Sequence, residues 1–179
     1  MRELKSVLRR ELISRRRELS DDEKSAWDSD IFEQIKPLLN KASEVFTYAS
    51  SEIEVDTRRL IKFCLENKIP VALPISGDTE LTFCYISRME ELKPGRFGID
   101  EPIIGNAACA DERTLCIVPA LCADGNGFRL GYGRGYYDRF LSGFCGTSVI
   151  LCYQSFRCEV PREQHDMRAD LTIFNRNPS

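Results

Sequence analysis

Residues 114–138, TLCIVPALCADGNGFRLGYGRGYYD, contain the pattern from which the fold is predicted. The apolar run TLCIVPAL is typical of a buried central strand, and this strand is expected to end at Pro119. A glycine-rich loop follows, and residues 136–142 are predicted to form a helix. In open α/β sheets ligands bind beyond the carboxyl ends of the strands, so the loop lies where a ligand is expected.

The N-terminal residues predict a helix with a basic surface. Leucines recur every four residues from Leu4 to Leu12, which predicts an apolar face on a helix over residues 3–19. The remaining surface is rich in arginine and is ordinarily solvated. If the helix packs over the ligand end of the sheet, however, Lys5 and Arg9 lie one turn apart and form a clamp for a polyphosphate.

The other elements are predicted from capping signals and apolar runs. Ser20 and Glu23 fit a capping box at the start of a second helix, and Asp56 with Thr57 can cap a third through residue 67. Further strands are predicted at residues 44–50, 69–76, 80–86, 147–154 and 171–174. Strands that alternate with helices predict an α/β layer fold with a largely parallel sheet, in one domain over residues 1–179.

Composition and charge exclude several classes of protein. The net charge of −3 argues against a general nucleic-acid binder, and no apolar run approaches the length of a membrane span. The N-terminus lacks the apolar segment of a signal peptide, so a cytoplasmic protein is predicted. Eight scattered cysteines and a single histidine do not suggest a zinc site. The cysteines are interpreted as small core residues in a reducing compartment.

Three polar stretches follow predicted strands and are expected to meet at one edge of the sheet. They are SSEIEVDT at residues 50–57, DGNGFRLGYGRGYYD at 124–138 and PREQHDMRAD at 161–170. Glycines 131, 133 and 135 let backbone N–H groups approach an anion, and Arg129 and Arg134 can bind phosphate oxygens. The spacing fits neither a Walker A loop nor a dinucleotide fingerprint. A purely structural glycine turn therefore stays open beside a phosphate site.

Acidic residues in these stretches also have two interpretations. Asp138 either complements the dipole of the helix that begins beside it or binds magnesium next to a phosphate. Asp166, which follows His165, is either a surface residue or part of the site. Glu54 is by default a solvated loop residue.

The segment VPALCADGNGFRLGYGRGYYDRFL, residues 118–141, resembles the signature of the 5-formyltetrahydrofolate cyclo-ligase family, also called 5,10-methenyltetrahydrofolate synthetase. KSVLRRELISRRRELS at 5–20, SSEIEVDT and EQHDMRADLTI at 163–173 resemble the opening helix, the folate loop and the metal-binding segment of that family. The order and spacing agree over residues 4–175. The resemblance implies a three-layer α/β/α Rossmann-like fold, related to sugar-phosphate isomerases and coenzyme A transferases.

The resemblance also implies an activity. The family converts 5-formyltetrahydrofolate to 5,10-methenyltetrahydrofolate, with ATP as co-substrate and Mg²⁺ as cofactor, and releases ADP and phosphate. The formyl oxygen attacks the γ-phosphate of ATP, and N10 of the folate then closes the ring and expels phosphate. The only partners implied are these small molecules, and a monomer is expected.

Site residues follow from the same resemblance, position by position. Tyr136 and Arg134 are implied near the reacting groups, Ala49, Glu54 and Tyr136 at the folate, and Asp138 and Asp166 at the metal. The residues implied to bind ATP are Lys5, Arg9, Arg129, Leu130, Gly131, Tyr132, Gly133, Arg134, Gly135, Tyr136 and Tyr137.

Two departures from the family pattern leave alternatives open. Ala120 stands where the family commonly has glycine, and Ala123 stands where an aromatic residue is usual, which predicts looser packing around a substrate. A non-catalytic homologue that binds folate or nucleotide is the first alternative. A sugar-phosphate isomerase on the same fold is the second, and it would need a carboxylate base and no ATP.

Overall fold

Helices begin where the capping signals predict. In a computed structural model that describes residues 1–103 and 105–176, the described α-helices are α1 (Arg2–Arg17), α2 (Asp21–Leu39), α3 (Thr57–Glu66) and α4 (Tyr136–Leu141). Ser20 and Glu23 form the predicted capping box at α2. Asp56 alone caps α3, by accepting from the backbone N–H groups of Arg58 and Arg59.

Thr57 does not cap α3 but connects the start of this helix to the residues that follow β1 through hydrogen bonds. Its hydroxyl donates to the carbonyl of Tyr48 and accepts from the backbone N–H of Ser50, while its own N–H donates to the Ser50 hydroxyl. These bonds turn the chain from strand to helix, so the strand predicted over residues 44–50 ends at Phe46.

Strands follow the predicted order with small differences in their bounds. The described strands are β1 (Glu44–Phe46), β2 (Val71–Ser76), β3 (Leu81–Ile86), β4 (Leu92–Pro94), β5 (Asp100–Pro102), β6 (Thr114–Val118), β7 (Cys122–Ala123), β8 (Arg129–Leu130), β9 (Thr147–Cys152) and β10 (Leu171–Phe174). Pro119 directly follows β6, as predicted. The hairpins β4–β5 and β7–β8 were not predicted, because strands of two or three residues carry no readable alternation.

The main sheet confirms the α/β expectation. Among the described residues it has six strands in the order β10-β9-β6-β1-β2-β3, and only β3 runs antiparallel to its neighbour. Helices flank the sheet: α2 packs against β10, α3 against β2 and α4 against β3. The carboxyl ends of β1, β2 and β6 therefore lie side by side at one edge.

An aromatic cluster fixes α4 to the sheet. Phe46 stacks on Phe83 with ring centroids 4.5 Å apart, and Phe140 of α4 lies 4.8 Å from Phe83. Phe144 completes the cluster 5.2 Å from Phe140. This cluster positions the short helix that follows the glycine loop, and with it Asp138.

Helix α1 turns a charged face inward. Its buried residues are Lys5, Leu12 and Arg16, whereas Leu4 is 56% exposed. The predicted apolar face is therefore wrong at its N-terminal end. The reason is that α1 packs over loops that offer carbonyls and carboxylates rather than over an apolar surface.

Candidate active site

A cleft of about 1180 Å³ opens at the carboxyl ends of the parallel strands. Tyr48 and Pro119, which follow β1 and β6, line the cleft together with Pro74 and Ser76 of β2. All three polar stretches that the sequence singled out contribute to its walls, and α1 contributes Lys5 and Arg9. The predicted ligand edge of the sheet is thus a single large cleft.

The glycine loop is shaped around Arg9. The Nε of Arg9 donates to the carbonyl of Gly131 at 2.8 Å. Gly133 has φ +95°, and a Cβ there would lie 2.9 Å from the Arg9 guanidinium carbon. Glycine at position 133 is therefore required both by its backbone conformation and by the close approach of the arginine. Since α4 has only six residues, a helix dipole adds little to this loop.

Lys5 joins α1 to the third polar stretch through two ion pairs. Its Nζ lies 2.6 Å from Oδ2 of Asp166 and 2.9 Å from Oε2 of Glu163. Burial acts to lower the pKa of Lys5, but the hydrogen bonds and charges of both carboxylates outweigh it and raise that pKa. Burial likewise acts to raise the pKa of Asp166, and the bonds from Lys5 and from the Glu163 N–H lower it.

Asp138 is held on the same wall by Arg129 and the backbone. Oδ1 of Asp138 accepts from Nη2 of Arg129 at 3.2 Å and from the N–H of Met167 at 3.1 Å. Nη1 of Arg129 also donates to the Met167 carbonyl at 3.1 Å. This network places Asp138 and Asp166 on segments that contact each other.

Oxygen donors suited to a hard cation are present on this wall. The bonds to Asp138 use Oδ1 and the ion pair of Asp166 uses Oδ2, so each carboxylate keeps a second oxygen for a further ligand. Ligand atoms of Glu163, His165 and Asp166 lie within 4.8 Å of one another. Among the described residues, these three form the cluster of possible metal-ligating side chains. Carboxylate oxygens are what Mg²⁺ prefers, so the residues fit that ion. The sequence analysis did not single out Glu163, and Asp138, which it paired with Asp166, is not a member of this group.

Glu54 lies buried in the lining of the same cleft. Its carboxylate accepts from the backbone N–H and the hydroxyl of Ser51, at 2.8 and 2.9 Å, and only 5% of the residue is exposed. Glu54 is therefore a buried, hydrogen-bonded residue of the cleft lining rather than a solvated loop residue. The default interpretation of Glu54 is therefore wrong.

Two buried polar atoms of the cleft residues have unused bonding capacity. Among the described residues, the hydroxyl oxygen of Tyr137 and Nε of Arg129 have no hydrogen-bond partner. Buried polar groups are almost always paired in native proteins. Their presence in residues that line the cleft is consistent with a polar ligand.

Tyr136 and Arg134 contact the far wall instead of the charged one. The Tyr136 hydroxyl donates to the carbonyl of Gly77 at 2.8 Å. The Arg134 guanidinium carbon lies 3.6 Å from the ring centroid of Phe97, a residue at the tip of the β4–β5 hairpin with φ 69°. Phe97 was missed by the sequence argument, and a non-glycine residue at positive φ cannot be read from sequence.

Three residues named from sequence, Ala49, Ala120 and Ala123, lie outside the cleft lining. Ala49 is 2% exposed and belongs to the core beneath Tyr48, whose side chain does line the cleft. Ala123 is fully buried in β7 and pairs with Arg129. The expectation that Ala123 loosens packing around a substrate is therefore wrong, since it forms no part of the cleft wall.

The comparison with known proteins agrees with the geometry. A family model described as the 5-formyltetrahydrofolate cyclo-ligase family matches residues 1–174. A curated protein of that name from Mycolicibacterium smegmatis is 27% identical over 173 residues, which cover 91% of this chain and 89% of the relative. Another from Haemophilus influenzae is 28% identical over 141 residues, 75% of each chain.

Solved structures give the same result at the level of the fold. The 5,10-methenyltetrahydrofolate synthetase of Aquifex aeolicus matches with a TM-score of 0.86 and 29% identity, covering 97% of this chain and 91% of its own. The enzyme of the same name from Mycoplasma pneumoniae has a TM-score of 0.76 at 23% identity and covers 94% of this chain and 97% of its own, which supports the fold alone. Within the described residues, no helix combines the length and apolarity needed to cross a bilayer.

Proposed function

The chain belongs to the 5-formyltetrahydrofolate cyclo-ligase family, and on this premise we propose that its cleft binds ATP and 5-formyltetrahydrofolate side by side. The family activity is closure of 5-formyltetrahydrofolate to 5,10-methenyltetrahydrofolate. The observation that carries the proposal is that Lys5, Arg9, Glu54, Asp138 and Asp166 all line one cleft. These residues are up to 161 positions apart in the chain, and their convergence on one cleft supports a shared site.

The reaction consists of one phosphoryl transfer and one ring closure. The formyl oxygen attacks the γ-phosphorus of ATP, and the bond to the bridging oxygen breaks to release ADP. N10 then attacks the formyl carbon and loses its proton, and phosphate leaves with the former formyl oxygen. Phosphorylation is needed because the oxygen of an amide-like formyl group is otherwise a poor leaving group. Such chemistry requires positioning and charge stabilisation rather than a protein nucleophile.

The polyphosphate is assigned to the face between α1 and the glycine loop. Arg9 and Arg129 bring guanidinium groups there, and Arg129 retains an unpaired Nε. The bare backbone at Gly131 and Gly133 lets N–H groups approach phosphate oxygens. Lys5, near the N-terminal end of α1, is assigned to the same phosphates.

Magnesium is assigned to the carboxylates of the charged wall. Asp138 and Asp166, which both line the cleft, would hold it. Glu163, whose ligand atoms cluster with those of Asp166, would be a third oxygen donor. When bound, the ion neutralises charge on the transferring phosphate. The protein's own contribution is to hold both carboxylates in place through Arg129 and two backbone N–H groups, those of Met167 and Glu163.

The folate is assigned to the opposite side of the loop. Glu54 offers a fixed buried carboxylate for the N–H donors of a pterin ring, and Tyr136 lies on the path towards the phosphates. Ala49 lies behind this wall in the core, and we assign it a packing role beneath Tyr48. Arg134, stacked on Phe97, is assigned to closing the outer side of the cleft.

The proposal extends to the state in which the chain works. We propose a single domain that acts as a monomer in the cytoplasm with small molecules as its partners. All eight cysteines are free thiols, which supports a reducing compartment. A non-catalytic homologue is not favoured, because none of the five charged residues has been replaced.

The test measures the formation of 5,10-methenyltetrahydrofolate through the absorbance of this product. Purified protein, 5-formyltetrahydrofolate, ATP and Mg²⁺ should give a rise in product that depends on ATP. Arg9→Gln should lower the rate at least about tenfold, the effect of one lost charged hydrogen bond. Arg10→Gln is the matched control, because Arg10 is exposed on the same helix and lines no part of the cleft. If no ATP-dependent product forms with the unmodified protein, the proposed function is wrong.

A further inference from the structure

The ammonium group of Lys5 lies beside Glu163 and Asp166, where a metal cation would be expected. Lys5 is 6% exposed, although it lies in the first turns of a surface helix. Its ammonium group contacts two of the three residues whose ligand atoms cluster, Asp166 and Glu163. The third member, His165, has Nε2 3.9 Å from the other oxygen of Asp166. Lys5 thus neutralises two of the three carboxylates assigned to the metal, and Asp138 pairs with Arg129 instead.

Two cations cannot share these carboxylates without cost. Oδ2 of Asp166 already accepts from Nζ of Lys5 at 2.6 Å and from the N–H of Glu163 at 2.7 Å. A divalent ion on either carboxylate would lie within a few ångströms of the ammonium group, where like charges repel strongly in a poorly solvated site. Lys5 must therefore move, or the ion must bind more weakly.

A buried ammonium group that leaves one anion needs another. Burying an unpaired lysine is strongly unfavourable, so Lys5 can leave the carboxylates readily only when a second anionic partner is within reach. Arg9 lies one turn further along α1 and approaches the glycine loop, which places that partner between the helix and the loop. A polyphosphate there has the required charge.

We infer that Lys5 is a positioning residue that couples the two ligands, opposing metal binding while it pairs with Asp166 and Glu163 and ceasing to oppose it when a polyphosphate takes up its ammonium group. The inference rests on the proposed function, because it takes the polyphosphate and the cation from that assignment. It adds that the metal and the nucleotide bind with positive coupling through one side chain. A lysine that only contacted phosphate would affect nucleotide binding alone.

The decisive measurement is metal affinity in the absence of nucleotide and folate. Mn²⁺, which takes the same oxygen ligands as Mg²⁺, is titrated into the protein and free Mn²⁺ is followed by electron paramagnetic resonance. Lys5→Gln should bind Mn²⁺ about tenfold more tightly than the unmodified protein, since it removes one charged competitor. The same substitution should weaken metal-free ATP binding, measured by calorimetry with a chelator present.

Matched variants separate charge from shape. Lys24→Gln removes a lysine that also pairs with an aspartate at 2.6 Å, but it lies on α2 outside the cleft, so both affinities should stay unchanged. Lys5→Arg keeps the charge and should keep Mn²⁺ binding weak. Lys5→Met repeats the test with the aliphatic stem preserved, should the glutamine variant fold poorly.

The possible outcomes decide the inference. Tighter Mn²⁺ binding together with weaker ATP binding in Lys5→Gln or Lys5→Met supports it. Unchanged or weaker Mn²⁺ binding overturns it, as does unchanged ATP binding, and so does a Lys5→Arg variant that binds Mn²⁺ as tightly as Lys5→Gln. Because these titrations involve no turnover, they stand apart from the product assay that tests the proposed function.

Discussion

Individual buried charges in this protein are satisfied by specific partners, and some lie far from the cleft. Glu44, at the start of β1, is 6% exposed and accepts hydrogen bonds from the hydroxyls of Tyr85 and Thr114. The strands to which these residues belong are neighbours of β1 or lie one strand further along the sheet. The carboxylate thus ties three strands together at the end of the sheet opposite the ligand edge.

The bond from Tyr85 to Glu44 predicts a pH-dependent stability. The hydrogen bond to Glu44, followed by burial, raises the pKa of Tyr85 to about 12, above the ordinary value of about 10. A phenol whose folded pKa is raised contributes stability that is fully present below about pH 10 and is lost as pH rises through about 12. Tyr85→Phe should therefore cost about 1 kcal/mol at neutral pH, and the difference from the unmodified protein should shrink above pH 10.

Urea unfolding of both proteins at several pH values measures that difference. Comparing the two proteins removes the contribution of the lysines, which titrate in the same range in both. A difference that stays constant up to pH 12 would contradict the prediction, as would a spectroscopic titration of Tyr85 with an ordinary tyrosine pKa.

At the scale of elements, the glycine loop and α1 form one unit. Arg9 fills the space beside Gly133, and Gly135 caps α4 in the left-handed conformation with φ +69°. Gly131 differs from both, since its φ is not positive and a Cβ there would meet no atom within 4 Å. The three alternating glycines are therefore not equivalent.

This difference predicts opposite tolerance to alanine. Gly133→Ala should lower the free energy of unfolding by about 1–2 kcal/mol, because alanine is strained at positive φ and its Cβ would displace Arg9. Gly131→Ala should change stability by less than about 0.5 kcal/mol. Thermal or urea unfolding without ligands measures both variants. Equal losses of stability at the two positions would contradict the prediction, because they would show that the need for glycine at position 133 does not depend on the approach of Arg9.

At the scale of the whole molecule, Arg16 fixes α1 across the ligand edge. It is 2% exposed and donates to three backbone carbonyls, those of Ile53, Ala120 and Leu121, at 2.8 to 3.0 Å. These carbonyls belong to the loops that follow β1 and β6. The Arg16 side chain thus joins α1 to the loops that follow two strands of the sheet. Arg16 supports the cleft in this way, although its side chain does not line the cleft.

Removing Arg16 should destabilise the protein as a whole. Arg16→Met should cost about 2–4 kcal/mol in urea unfolding, because three buried carbonyls lose their donor. Arg15→Met is the matched control: Arg15 is exposed and makes one hydrogen bond to the carbonyl of Ser155 at 3.2 Å, so its loss should cost less than about 1 kcal/mol. If both variants lose the same stability, Arg16 does not have the anchoring role that its contacts indicate.

The sequence by itself determined the order and type of the long elements, the capping box, the edge of the sheet at which the cleft opens and the family. Each of these depends on local chemistry, such as the capping box of Ser20 and the end of β6 before Pro119. The resemblance further predicted residues of the cleft, because the motifs of this chain have the same residue types in the same order as the motifs of the family.

Only the tertiary structure decided which face of α1 turns inward, that Ala49 and Ala123 lie behind the cleft and that Phe97 meets Arg134. The physical reason is that a lysine or arginine is stable either in water or against buried carbonyls and carboxylates, and sequence periodicity does not distinguish the two. The partners of Lys5 and Arg16 lie more than 100 residues away for all but one contact. Folding alone brings them together.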